Sequence, residues 1–542
     1  MAAYGGAQRR NSRGAGPGKQ ESSPPHKASK LEAPRAASVE APVEQATQQA
    51  DKEQFVWTKQ WYPIAVAEYL ETDRPHPRVL LGKDLVLWKD GTGHWQCFED
   101  RCPHRQAPLS EGRIEADGTL LCSYHAWRFD GKGTCTSLPQ AASRQDEARQ
   151  VARKKACAVA YPTKEREGVI YVWPDANSPN EAESTEPFVT PEVLDPALKD
   201  RCVTPPWSER ILPYAADYFF ENVTDPAHVN VSHHGLVGSR YDPVGDSHLT
   251  LKPTREMTCD GGFGFSTRRG AAVDPSLTKE DNGGTTEFTP PATVTIRNEA
   301  DDGTKTILVL MAVPTRPGEC RHIGRQVLIK NEEGKLGQGL AFFALPMPHW
   351  VLHATAPLFL HQDALHLHKQ QALVQRTMRA RAGDAAAPLE EDPVASGDWG
   401  AGMYLPNEAD KGVVALRKWL SKYSGGFIPY EGYHKDATLT TANSDEAVFD
   451  TWHAHTKDCK VCRDAHRRLN KAQPVLKALA VLAVATGAMF GARPDAALIA
   501  NTMPTAFVVG CAVAGALTVA SDVCFKLQSL MEKYEFKHAD NN

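Results

Sequence analysis

The segment CPHRQAPLSEGRIEADGTLLCSYHAWRF pairs Cys102 with His104 and, after seventeen intervening residues, Cys122 with His125. Two thiolates and two imidazoles are also the ligand types of structural zinc. The arrangement argues for another metal group. Each short pair joins one thiolate to one imidazole, which suits a Rieske-type [2Fe–2S] cluster whose two irons take Cys and His ligands respectively. Imidazoles in place of thiolates leave less negative charge on such a cluster and raise its potential.

A second constellation, ENVTDPAHVNVSHH, holds Asn222, Asp225, His228 and His233. His228 and His233 are five apart, a spacing that can bring two rings to one metal across a distorted helical turn. Two histidines and one carboxylate form the facial triad of non-haem Fe(II) oxygenases, which leaves coordination positions open for O₂. The third ligand must come from elsewhere, and Asp363 in LHQDALHLHKQQ is the candidate. The same His pair standing alone would read as ordinary core or surface histidines.

A third group is WHAHTKDCKVC, with His453, His455, Cys459 and Cys462. Cys459 and Cys462 suit reversible dithiol chemistry. Two other readings stay open: a small zinc site that uses the two histidines, and inert thiols.

These groups need elements to hold them. Ordered sequence is expected from Phe55, and RVLLGKDLVLWKDGTGHWQCF reads as two strands joined by a turn at Asp90-Gly91-Thr92-Gly93. Short strands continue to GVIYVWPD, giving an all-β unit over 55–175, and the polar stretch 176–190 reads as a linker. Tyr214, Tyr218, Phe219 and Asn222 predict one helix through YAADYFFENVTDPAHVNVSHH. Strand-like segments follow in HLTLKP, GGFGFSTR, ATVTIRN, KTILVLMAVP and RQVLIK, so 190–435 is expected to be α+β, a sheet with helices packed on it. Within it, 380–400 reads as a loop. A helix through NEADKGVVALRKWLSKYSGG is expected to end at Gly425-Gly426.

The Cys-x-x-Cys segment occupies 445–470. Beyond it, Val475–Ala492 and Ala496–Ser521 are apolar enough for a two-helix membrane hairpin over 475–525, turning at Arg493-Pro494-Asp495. A buried soluble helix pair is the competing reading. At the other end, Arg9, Arg10, Arg13, Lys19, Lys27 and Lys30 face only Glu21 in the first thirty residues. That acid-poor leader over 1–50 reads as an organelle transit peptide, with a plain disordered arm as the alternative. The 542-residue chain is 41% hydrophobic and 23% charged, with a net charge of −5, so nothing points to nucleic acid. Its twelve cysteines are too dilute for a disulfide scaffold.

The combination of CPHR…CSYHAW with EN..DPAH....H resembles the Rieske-type mononuclear iron oxygenases. The added Cys-x-x-Cys and hairpin resemble the plastid branch around pheophorbide a oxygenase. That branch also holds chlorophyllide a oxygenase, a protochlorophyllide-associated relative and the Rieske subunit of the inner-envelope translocon. The resemblance implies a β-sandwich Rieske domain, a helix-grip catalytic domain, and His228, His233 and Asp363 as ligands of a mononuclear Fe(II). It makes Asp225 the bridge to a cluster on a neighbouring subunit of a homotrimer, with Asn222 beside the metal ligands. It further implies ferredoxin as electron donor, since the chain has no dinucleotide fingerprint, and a tetrapyrrole substrate opened with O₂ or hydroxylated. Cys459 and Cys462 become a thioredoxin target, and the soluble part would lie in the chloroplast stroma at an envelope or thylakoid membrane. A redox-sensing translocon component without turnover is the rival function. Two residues depart from the family pattern. Ala126 stands where Gly is common, and His361 stands close to Asp363.

Overall fold

A computed structural model describes residues 53–236, 241, 249–269, 284–337, 345, 347–355, 357–381, 403–432, 445–491 and 503–534. The leader 1–50, most of the 380–400 loop and the turn Arg493-Pro494-Asp495 lie outside the described residues.

The first part is all-β. One sheet orders His76–Leu80, Lys83–Lys89, Trp95–Glu99 and Ala160–Tyr161, and every pairing in it is antiparallel. Side chains alternate along a strand with period two, and Lys83–Lys89 uses both faces. Leu85 and Leu87 enter the main core, while Val86 and Trp88 enter a second core beneath the Cys102 and Cys122 loops. A small sheet of Arg113–Ile114, Leu120–Leu121, Arg128–Phe129 and Cys135–Ser137 builds the tip that carries those loops. A third sheet orders Tyr62–Val66, Val169–Val172 and Thr163–Arg166. The expected turn at Asp90–Gly93 is present, with the Asp90 carboxylate accepting from the N–H groups of Thr92 and His94. A second turn was missed: Leu81 and Gly82 at φ 51° and 80° make a two-residue hairpin, so the segment holds three strands. In the expected linker, Pro179–Ser184 forms a short helix and buries Ala182.

The second part is α+β. Its antiparallel sheet runs Cys202–Val203, Glu319–Ile329, Lys305–Arg316, Thr293–Glu299, Thr285–Thr289, Gly262–Arg269 and Leu249–Thr258, with Ser208–Leu212 also paired to Glu319–Ile329. Helices Ala216–Thr224 and Lys411–Ser424 pack on it through Phe220, Phe288 and Trp419, whose neighbouring rings lie 5.2 Å apart. Arg417 joins the two helices, with ion pairs to Asp217 at 2.7 Å and to Glu221. Gly425 ends its helix in the left-handed conformation at φ 67°, as expected.

The single helix expected through 214–234 is broken. It stops at Thr224, Asp225 is extended at φ −98° and ψ 101°, and a short helix restarts over His228–Ser232. Pro226 is the cause, because the proline ring disfavours helical geometry in the residue before it.

Two long helices end the described chain, Lys460–Gly491 and Met503–Glu532. Both are long and apolar enough to cross a membrane, and only 11% of each apolar window is buried. Gly487 and Gly510 sit face to face: a Cβ on Gly510 would lie 2.7 Å from the Ala483 carbonyl oxygen. Such close approach at small residues is how apolar helices pack without a hydrophobic drive between them. Below Pro474 the same helices turn polar, with Gln473 donating to Gln528 at 2.5 Å and His466 paired with Glu532 at 2.6 Å.

Candidate metal centres

The loops after Glu99 and Leu121 repeat one design. Cys102 N–H donates to the Ala107 carbonyl and Cys122 N–H to the Trp127 carbonyl, at 2.8 and 2.9 Å. Four residues after each cysteine the chain turns left-handed, at Gln106 (φ 63°) and Ala126 (φ 58°). A glycine at the second position, which the resemblance leads one to expect, would suit this backbone conformation. Ala126 adopts it at a cost of about 1 kcal/mol.

Both cysteines are buried, whereas His104 is exposed and His125 half-buried. The imidazole rings lie 4.6 Å apart, and Trp127 stacks parallel on His104. Gln140 Nε2 donates to the His125 carbonyl at 2.8 Å and fixes the loop. A hydrogen bond from Cys102 holds the Cys122 thiol down to about 6 against the opposing effect of burial. Two buried sulfurs below and two more exposed imidazoles above fit a Rieske cluster.

The second centre assembles between helices. His228 opens its short helix, His233 ends it, and Asp363 comes from helix Pro357–Arg381. Asp363 Oδ2 lies 3.3 Å from His233 Nε2 and 3.8 Å from His228 Nε2. Outer contacts orient all three ligands. His228 Nδ1–H donates to the Asp225 carbonyl, His233 Nδ1–H to Gln362 Oε1 at 3.0 Å, and Asn222 Nδ2 to Asp363 Oδ2 at 3.0 Å. These acceptors fix the tautomers, so both Nε2 lone pairs face the carboxylate. Burial lowers His233, favouring the neutral ring that a metal requires. Three ligands meeting on one side of a space, with no fourth among the described residues, fit an open Fe(II) site.

Asp225 stands beside this triad, its Oδ2 3.9 Å from His228 Nδ1. Burial raises its carboxyl, opposed by His228 and the Ala227 N–H. His361 is no ligand. It meets Arg210 at 3.2 Å and stacks on Tyr534 with ring centroids 4.6 Å apart.

Cys459 and Cys462 are buried beside His455. His453 is not with them; it is exposed and paired with Asp450 at 2.6 Å. Residues two apart on a helix project to nearly opposite sides, so His453 and His455 cannot both reach the thiols. The second imidazole is His353, from helix His349–Thr355. Sequence reasoning missed it because no local spacing links it to the cysteines.

Residues 60–156 match the family model for the Rieske [2Fe-2S] domain, and 288–380 match the model for pheophorbide a oxygenase. The chain is 33% identical over 457 residues to a chloroplastic pheophorbide a oxygenase of Oryza sativa subsp. japonica, covering 82% of this chain and 79% of that protein. It is 30% identical to a chloroplastic flavonoid 8-hydroxylase of Ocimum basilicum, covering 81% and 80%. It is 28% identical to the chloroplastic protochlorophyllide-dependent translocon component 52 of Arabidopsis thaliana, covering 80% and 78%. The four cluster residues fall inside the first matched segment and Asp363 inside the second.

Proposed function

The chain belongs to the Rieske-type oxygenases that include pheophorbide a oxygenase, and on that premise we propose that it oxygenates a chlorophyll-derived tetrapyrrole, opening the macrocycle. Like its family it is an oxidoreductase with a [2Fe–2S] cluster and a mononuclear iron. Together these groups supply single electrons and a site for O₂. The observation that carries the substrate reading is the 33% identity to a pheophorbide a oxygenase, which extends through both metal-binding parts.

In this reading Cys102, His104, Cys122 and His125 hold the cluster, and His228, His233 and Asp363 hold the iron. Gln362 and Asn222 keep the iron ligands aimed at one point. Asp225 joins His228 to the cluster of an adjacent subunit in a homotrimer, and reduced ferredoxin is the electron donor. The working units are 55–175, 190–435, 445–470 and 475–525. The exposed apolar faces of the last unit favour insertion in a chloroplast membrane, since Val481, Met489, Val508 and Val519 would otherwise meet water. A hairpin returns the chain to its starting side, which supports a common side for the metal centres and the C-terminal tail; in this reading that side is the stroma. A membrane-held enzyme suits a lipophilic substrate.

The relative that hydroxylates a flavonoid, by its name, supplies the competing substrate. Purified full-length protein with reduced ferredoxin should consume pheophorbide a in the presence of O₂ and leave a flavone unchanged. Turnover of the flavone alone, or of chlorophyllide a alone, would overturn the macrocycle-opening reading.

A further inference from the structure

The cluster around Cys459 and Cys462 is not used by the oxygenase chemistry, and its geometry is that of a closed coordination sphere. Four side chains from three elements converge: His353 from helix His349–Thr355, His455 from the turn Trp452–Thr456, Cys459 just before helix Lys460–Gly491, and Cys462 within its first turn. All four are buried, at 4%, 8%, 3% and 1% exposure. The cysteines are not disulfide-bonded.

The distances between ligand atoms are informative. Cys462 Sγ is 3.2 Å from His353 Nδ1 and 3.2 Å from His455 Nε2. The two ring nitrogens are 3.3 Å apart, and Cys459 Sγ is 3.7 Å from His353 Nδ1. A tetrahedral zinc with Zn–S of about 2.3 Å and Zn–N of about 2.05 Å separates its ligand atoms by about 3.3 to 3.8 Å. The same geometry puts nitrogen–nitrogen at about 3.3 Å and sulfur–nitrogen at about 3.6 Å, and the four observed spacings lie within about 0.4 Å of those values.

The orientation of His353 agrees. Its Nε2–H donates to the Trp207 carbonyl at 3.1 Å, which leaves the Nδ1 lone pair facing the sulfurs. A metal-bound imidazole commonly has its outer nitrogen anchored to a carbonyl in this way. Tyr69 packs edge-on against the same ring at 4.5 Å and donates to the same carbonyl, closing the site from that side.

We propose that His353 Nδ1, His455 Nε2, Cys459 Sγ and Cys462 Sγ hold a structural zinc ion. A tetrahedral S₂N₂ set selects zinc over the harder divalent ions, and four protein ligands leave no position for substrate. The ion fastens the start of the first apolar helix to the helix that precedes Asp363, so the hairpin and the catalytic part meet at one fixed point. Thiolates committed to zinc are not a free dithiol, which sets this reading against a thioredoxin-reducible disulfide.

The test is metal analysis of the detergent-purified full-length protein, made with both iron and zinc in the medium. About one zinc per chain is expected. His353→Ala and Cys459→Ser should each lower zinc at least about tenfold with cluster iron retained, whereas His453→Ala should keep it. Replacing zinc by cobalt in the wild-type protein should give the visible bands of tetrahedral, thiolate-bound Co(II), a readout that needs no variant. Wild-type protein with less than about a tenth of a zinc per chain and no cobalt bands would overturn the proposal. So would a Cys459–Cys462 disulfide in the peptide mass, or zinc that survives His353→Ala and is lost from His453→Ala.

Discussion

Replacing His228 by alanine is expected to lower the iron content from about three atoms per chain to about two, with the visible spectrum of the cluster unchanged. Product formation should fall below detection. The Nε2 atoms of His228 and His233 and the Asp363 carboxylate converge, and Asn222 and Gln362 are committed to orienting those ligands rather than replacing one. Removing one of three ligands leaves two, too few to compete with water for Fe(II). The cluster loops stand on the small sheet and the triad on helices of the other part, so the cluster has no reason to respond. Iron analysis with the cluster's electron paramagnetic resonance signal checks this; unchanged iron in the variant would remove His228 from the site.

Asp225→Asn should have a comparable effect on activity and almost none on metal content. Both irons of the cluster and the mononuclear iron should remain, while product formation falls about a hundredfold. The backbone carbonyl of Asp225 anchors His228 and does not change in the variant. The side chain does change. A carboxylate can accept an N–H from a ring on each side, whereas an amide presents one acceptor oxygen and one donor nitrogen. If Asp225 joins His228 to a histidine of the neighbouring cluster, that link is lost although every metal ligand survives. Steady-state turnover beside iron content decides the matter, and full turnover in the variant would sink the bridging role.

Much of this was legible in the sequence because the chemistry is local. Cys102 with His104 and Cys122 with His125 each occupy one turn of one loop, so their spacing alone displays a candidate ligand set. His228 and His233 are also close in sequence, but their approach depends on the break at Asp225-Pro226, which the helical periodicity of Tyr214, Tyr218 and Phe219 concealed. The Asp-Pro dipeptide was the available signal. The Leu81-Gly82 hairpin was hidden in a run of apolar residues whose alternation continues through the turn.

His353 was beyond reach for a different reason. It lies 102 positions before His455, and only the packing of helix His349–Thr355 against helix Lys460–Gly491 brings the two rings together. Local pattern suggested His453 instead, and the helical turn around Trp452–Thr456 directs that residue outward. Ala126 teaches a related lesson: its departure from glycine was visible, but the positive φ that explains the glycine belongs to the folded loop.

In this protein the cluster is expected to feed an O₂-activating iron instead of serving as a terminal carrier. A single turnover tests this: full-length protein, reduced and held without oxygen beside pheophorbide a, is exposed to isotopically heavy O₂ and the product is weighed by mass spectrometry. Heavy oxygen is expected in the product of the wild-type protein and none from His228→Ala. A wild-type cluster that reoxidises fully while the substrate stays unlabelled and intact would contradict it.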